Sequence, residues 1–325
     1  MAARPPGADA FSSRTTGAPA RDAIAPLQHE TLAAWLDGNI HDATVRQLIE
    51  MLVRVTTFTH DPEHQSAGAA ISQLQLSLPG VLYLDGGWQT IVDGLRSVAT
   101  AAGARIISER AAVSLERGHD NVVDAVRLSG GSTVPASAVI ITGSPDDVAQ
   151  LTGIPHSSLG PPVRVATLDL ALRALPKPKR TVAFGLDTPL YFSVHSTVAR
   201  LAPEGGALIH ASKYLRPSEN AGRDVEGELE ALMDMMQPGW RDVVESKQFL
   251  PNLTVTHAQA TAESGGLSGR PTSRVDGFDN VFIAGDWVGP TGQLSDAAAA
   301  SATAAAQSAL GIVERSKEHF LQAAV

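Results

Sequence analysis

The feature that most narrows what this chain can fold into lies near its carboxyl end. Val281-Phe282-Ile283-Ala284 is followed by Gly285-Asp286-Trp287-Val288-Gly289-Pro290-Thr291-Gly292-Gln293, then by Leu294 and a run of small residues. Four apolar residues read as a buried strand, the glycines as a turn, and the alanine-rich run as a helix. The strand therefore ends beside a carboxylate. The helix begins with free backbone N–H groups and the positive end of its dipole, ready for an electron-rich group. Gly285, Gly289 and Gly292 let backbone approach a flat or charged ligand closely. The glycines alone fit a plain βα unit with a tight turn equally well.

The residues between the glycines say more. The whole block resembles the C-terminal flavin-binding segment of FAD-dependent amine oxidases, protoporphyrinogen oxidases and phytoene desaturases. The resemblance implies that Gly285, Asp286, Gly292, Gln293 and Leu294 bind FAD. Asp286 would bond the ribityl or diphosphate part, and the Gln293–Leu294 backbone would face the pyrimidine carbonyl. A dipole placed there would stabilise the charge that gathers on a flavin accepting a hydride. Tyr83-Leu84-Asp85-Gly86-Gly87-Trp88 resembles the family's Gly-Gly-then-helix element, which implies that Gly86, Gly87 and Trp88 lie beside the isoalloxazine ring. Residues 105–142 resemble the family's β-meander and return strand, where the residue matching Val113 meets adenine through its backbone. Val113 as an ordinary sheet residue fits the sequence equally.

The resemblance covers roughly 22–310 and implies an α/β fold with discontinuous domains. An incomplete Rossmann-like FAD-binding domain takes 80–158 and 275–316. An α+β substrate domain takes 22–79 and 159–274, leaving 1–21 poorly ordered and 317–325 as a tail. Tyr83, Tyr191, His257 and Trp287 are candidates for the substrate pocket. Trp287 could as well fill core, and His257 could be an ordinary surface or core histidine. The implied reaction is hydride transfer from an apolar, polyene-like substrate to FAD, with an amine as the second choice and a binding module without cofactor as the third.

One part of the family pattern has no counterpart. Members begin with a strand, a G-x-G-x-x-G turn, a helix and an acidic residue about 20 positions later. The other glycine doublets here, Gly130-Gly131, Gly205-Gly206 and Gly265-Gly266, do not sit between an apolar strand and a helix. A late start codon, a degenerate gene, or a partner chain supplying the segment would each account for this. Each predicts weak FAD retention and an unpaired sheet edge with exposed apolar surface.

Local patterns predict the remaining elements. Leu32, Trp35 and Leu36, then Val45, Leu48, Ile49, Leu52 and Val53, have helical spacing, and Asp61-Pro62 reads as the start of another helix. Val81–Leu84 reads as a strand, and Ile91, Val92, Leu95, Val98 and Ala102 as one face of a helix closed by Gly103. Arg105–Ile107, Ala112–Leu115, Val122–Leu128 and Ala138–Thr142 read as strands. Ser144-Pro145-Asp146-Asp147 should start a helix ending near Gly153. Val163–Leu170 and Ala207–His210 are strand-like, 224–236 is helical, and the last helix is expected over 294–310.

Composition excludes several classes. A net charge of −9 without a Lys/Arg cluster argues against nucleic acid. With no cysteine, there is no disulfide, thiolate metal site or catalytic thiol. The amino end lacks an apolar signal region, and a cytoplasmic location is expected. Membrane contact has no amphipathic basic helix to support it. His60 and His64 flank Pro62, which would leave His60 outside any helix and spoil a metal pair, so no metal site is expected. Ser193, His195 and Asp187 lack the strained turn of a serine nucleophile.

Overall fold

The structure is a computed structural model that describes residues 24–156 and 158–323, with the side chains of 316–323 outside the description. The expectation for 1–21 falls outside the described residues. An antiparallel sheet of five strands is the best-packed part of the fold. Its order is β6 (Val182–Phe184), β7 (Leu190–Val194), β8 (Ala207–Tyr214), β5 (Val163–Leu172) and β9 (Val244–Thr256). Strict alternation sorts its side chains. Ala166, Leu168 and Leu170 of β5, Ile209 and Ala211 of β8 and Phe192 of β7 are all fully buried. They pack with Val225, Leu229 and Met233 of helix α6 (Arg223–Met236) and with Trp240. Each buried Leu, Ile, Val, Phe or Met side chain here stabilises the fold by about 1.5–3 kcal/mol. The opposite face carries Thr167, Asp169, Tyr191, Ser193, His210 and Ser212, the alternate positions of the same strands.

A second cluster joins α1 (Leu32–Asn39), α2 (Ala43–Thr57) and α3 (Ala67–Ser77) through Leu32, Leu36, Val53 and Ala70. Thr31, Asp42 and Ser66 cap these helices through their side chains. The helix expected from Asp61 therefore starts later, at Ala67. Asp61 is buried and accepts hydrogen bonds from His64 Nδ1 at 2.8 Å and Gln259 Nε2 at 3.1 Å. That carboxylate is used in a tertiary contact, so it does not cap a helix.

The third part holds the glycine block. β10 (Val281–Ile283) pairs in parallel with β4 (Val139–Ile141), and α7 (Leu294–Ala323) packs on β10 through Ala305. The helix expected over 294–310 thus runs on to 323, through most of what was expected as a tail. A meander of β1 (Ala112–Arg117), β2 (Val123–Leu128) and β3 (Thr133–Pro135) adjoins this pair. Asn280 links the two parts: its side chain accepts from Val123 N and donates to Val123 O and Ser137 O. Helix α5 (Pro145–Thr152) has the expected start, a reciprocal capping box between Ser144 and Asp147, and ends at Gly153 in the left-handed region.

Two expected strands do not form. Val81–Leu84 and Arg105–Ile107 have no strand assignment, and Leu82 is 96% exposed. A lone extended segment gains no ladder hydrogen bonds, and the described residues offer neither run a neighbour. Between them lies α4 (Gln89–Ala101), which has the predicted apolar stripe yet buries none of its residues. Among the described residues, β4 has β10 as its single strand neighbour.

Candidate functional site

The glycine block folds as a strand, a turn and a helix start. Ala284 N–H donates to Ile141 O at 3.0 Å, continuing the β10–β4 ladder. Ser301, one helical stretch later, ties α7 back onto the turn, accepting from Gly285 N–H and donating to Gly285 O, both at 3.0 Å. Gly289 and Gly292 have φ of 77° and 71°. A Cβ on Gly292 would lie 2.7 Å from Asp296 Cβ, so the turn needs glycine there on two counts. Leu294, the first residue of α7, has φ of 54°, a conformation that costs a non-glycine residue about 1 kcal/mol or more. The N–H groups of Leu294 and Ser295 have no protein partner among the described residues, as expected for the first turn of a helix.

Arg270 closes this turn from below. It is 9% exposed, and its Nη1 donates to Gly292 O at 2.9 Å. Its Nε is buried with no hydrogen-bond partner. Burial lowers the guanidinium pKa to about 10, against the opposing pull of Asp286. A buried cation with an orphan donor is unusual, because each unsatisfied buried group costs about 1–3 kcal/mol. The two free amides of α7 are donors suited to an electron-rich oxygen, and Arg270 adds positive charge behind the turn that precedes them.

The structure brings two sequence candidates together. Asp286 accepts from His257 N–H at 3.2 Å and His257 Nδ1 at 3.1 Å, so the end of β10 is clamped to the end of β9. Trp287 requires a correction. It is fully buried, packs edge-on against His156, and donates from Nε1 to Gly143 O at 3.2 Å. It is core, with no face left to wall a cavity.

The other candidate segment has different neighbours. Gly86 N–H donates to Arg200 O at 3.0 Å, and Arg200 N–H donates to Asp85 Oδ1 at 2.8 Å. Both glycines take φ near 77°, at 77° for Gly86 and 76° for Gly87. The segment is thus fastened to the 195–201 loop that follows β7. Trp88 precedes α4 and is mostly exposed. Val113 sits at a register shift of β1, where the ladder passes from Ala112 to Ser114.

The structure also brings the candidates Tyr83 and Tyr191 together on the back of the five-stranded sheet, beside a polar group, Asp169, His195 and His210, that sequence reasoning did not assign. His210 Nδ1 donates to Asp169 Oδ1 at 2.6 Å, and Tyr191 Oη lies 3.3 Å from His195 Nε2. His195 lies tilted against His210 and meets Tyr83 edge-on, with ring centroids 4.4 Å and 5.3 Å apart. The signal was available: Thr167 and Asp169, and His210 and Ser212, are alternate polar residues within otherwise apolar strands. The serine-triad candidates are dispersed instead, since Asp187 bonds Gln47. His60 and His64 also separate, because His64 pairs with Asp61.

No family model matches the sequence, and no curated protein matches it. Solved structures do. An oxidoreductase from Methanosarcina mazei superposes with a TM-score of 0.66 at 16% identity, over 85% of this chain and 68% of that one. Cyclohexylamine oxidase from Brevibacterium oxydans gives 0.57 at 16% identity, over 90% and 69%. A putative protoporphyrinogen oxidase from Exiguobacterium gives 0.55 at 16% identity, over 89% and 67%. At these identities the likeness is one of fold. No helix among the described residues is long and apolar enough to cross a membrane.

Proposed function

We propose that this chain is a flavin-dependent oxidoreductase that removes a hydride from an organic substrate. The observation that carries this reading is the start of α7, where the amides of Leu294 and Ser295 are free and the buried Arg270 guanidinium holds the turn before them through Gly292 O. These donors fit the electron-rich pyrimidine edge of an isoalloxazine ring. Bound there, FAD would supply the hydride acceptor. The fold likeness to an amine oxidase and a putative protoporphyrinogen oxidase supports the same reading, since the glycine block resembles both classes.

In this reading the protein's residues bind and orient. Arg270 and the helix dipole hold the site positive where charge gathers on the acceptor. Gly86 and Gly87 let the 83–88 backbone lie close to the ring face. Asp286, kept beside His257, holds the strand end in register with the turn. The substrate is apolar and polyene-like in the first reading; the polar back of the five-stranded sheet favours an amine as the second.

The exposed stripe of α4 and the single neighbour of β4 favour a further element of the proposal. A strand–glycine turn–helix unit supplied from outside this sequence would cover them and complete the diphosphate site. Purified protein tests the function: flavin absorbance that survives gel filtration, alone or with such a unit added, supports it. A chain that stays colourless in both cases supports a binding module without cofactor.

A further inference from the structure

The polar group on the back of the five-stranded sheet meets the flavin site proposed above only through Tyr83 of the 83–88 segment. Three strands and a loop converge there: Asp169 from β5, Tyr191 from β7, His210 from β8, His195 just after β7, and Tyr83 from the 83–88 segment. The arrangement is built outward from the carboxylate. Asp169 is fixed by Thr167 Oγ1 at 3.0 Å and His210 Nδ1 at 2.6 Å, and Ser212 Oγ steadies Thr167 at 3.1 Å. His195 lies on His210, Tyr191 reaches His195, and Tyr83 lies outermost. Burial pushes the Asp169 pKa up, but the hydrogen bond and charge of His210, the hydrogen bond from Thr167 and the nearby His195 together hold it below the usual value, so the group stays ionised.

Burial and the neighbouring His210 lower the His195 pKa to about 4, with Asp169 opposing. Burial pushes the Tyr191 phenol upward. At neutral pH, His195 is therefore an uncharged ring and Tyr191 a protonated phenol. Such a pair offers fixed polar contacts and no positive charge. The group contains a carboxylate and no lysine or arginine, which disfavours an anionic ligand there. Tyr83 continues directly into Asp85 and Gly86, which are fastened to the loop after His195.

We propose that Tyr191, His195, His210 and Asp169 form a recognition site for a substrate head group bearing an N–H or O–H donor. The inference rests on the flavin reading only for why a substrate comes there. It narrows that reading: the substrate is not a bare hydrocarbon but carries a polar head beside its apolar part.

The test uses 15N-histidine-labelled protein, with the His195 and His210 ring signals assigned through H195Q and H210Q. Hexylamine, hexanol, 1-hexene and hexanoate are the probes. A saturable shift of the His195 signal by hexylamine or hexanol is expected, and at least a several-fold smaller one by 1-hexene or hexanoate. A response to the amine alone identifies a cationic head, to the alcohol alone a neutral hydroxyl, and to both donor recognition in general. Tyr191→Phe should abolish the response while leaving the thermal midpoint in place. The charged and titratable groups facing His195 are Asp169, His210, Tyr191 and Tyr83, so the response should hold from pH 5 to 8. Equal shifts with 1-hexene or hexanoate, no shift with any probe, an unaltered response in Tyr191→Phe, or a loss centred near pH 6.5 would each overturn the proposal. Flavin uptake is measured on separate samples. Its failure sinks the redox reading and leaves this site standing.

Discussion

Two amphipathic helices in this protein have nearly the same sequence credentials and opposite fates. α6 lays Val225, Leu229, Leu232 and Met233 onto the five-stranded sheet, where all four are buried. α4 presents Ile91, Val92, Leu95 and Val98 on a stripe of the same kind, and all four are exposed. Periodicity announces a face; only a neighbouring element decides whether that face is buried. Most helical stability comes from such packing rather than from propensity. The flanks of α4 show the same lesson in strand form, since Val81–Leu84 and Arg105–Ile107 have strand composition and, among the described residues, no strand to join.

The contrast can be broken or sharpened by experiment. The largest effect is expected at Leu229→Ala, where a cavity beneath a fully buried side chain should cost about 3–4 kcal/mol in denaturant unfolding. A loss below about 1 kcal/mol would mean that α6 is not packed as described. Asp61→Ala should cost about 2 kcal/mol, because the buried Gln259 loses its acceptor inside the fold. Ser144→Ala should cost about 1 kcal/mol through the lost cap of α5. Leu95→Ala should change stability by less than about 0.5 kcal/mol in the isolated chain. If Leu95→Ala instead proved as costly as Leu229→Ala, α4 would have to be covered, and the comparison would fail.

Acid offers a further cut. Burial, reinforced by neighbouring positive or titratable groups, lowers both His60 and His195 to about 4. Between that value and 6.5 the unfolded chain binds protons that the folded chain refuses, so stability falls as pH drops through this window. Urea midpoints measured from pH 7 to pH 4 should decline. Replacing His195 with Gln should flatten part of the decline, and an unchanged slope would show that His195 is not buried as described.

Legibility in the sequence followed the range of the interactions. The capping box at Ser144, the turn glycine after α5 and the strand–turn–helix at Gly285–Leu294 are set by residues close in the chain, and the sequence displays them. Strand β5 and helix α6 were legible because their alternation and helical spacing are strong. Asp61 was misread because its local setting looks like a cap, while Gln259, which bonds it, is far along the chain. Arg270 was missed for a related reason: a single arginine in a loop carries no periodic signal, and its orphan donor emerges only once Gly292 is folded over it. The Asp169–His210–His195–Tyr191 group needed strand order, since β5, β8 and β7 become neighbours only in the sheet. Trp287 could be read either as core or as cavity wall, and its burial decided between them.

The account depends most on the donors at the start of α7 accepting an isoalloxazine edge. Titrating the purified chain with lumiflavin, which has the ring but no diphosphate, and following quenching of its fluorescence tests this without any diphosphate cradle. The account predicts saturable quenching that weakens about tenfold or more in Arg270→Gln, a charge-assisted contact of about 1.5–3 kcal/mol, with the thermal midpoint of the variant checked alongside. Absence of saturable quenching in the native chain, or equal affinity in a folded Arg270→Gln variant, would contradict it.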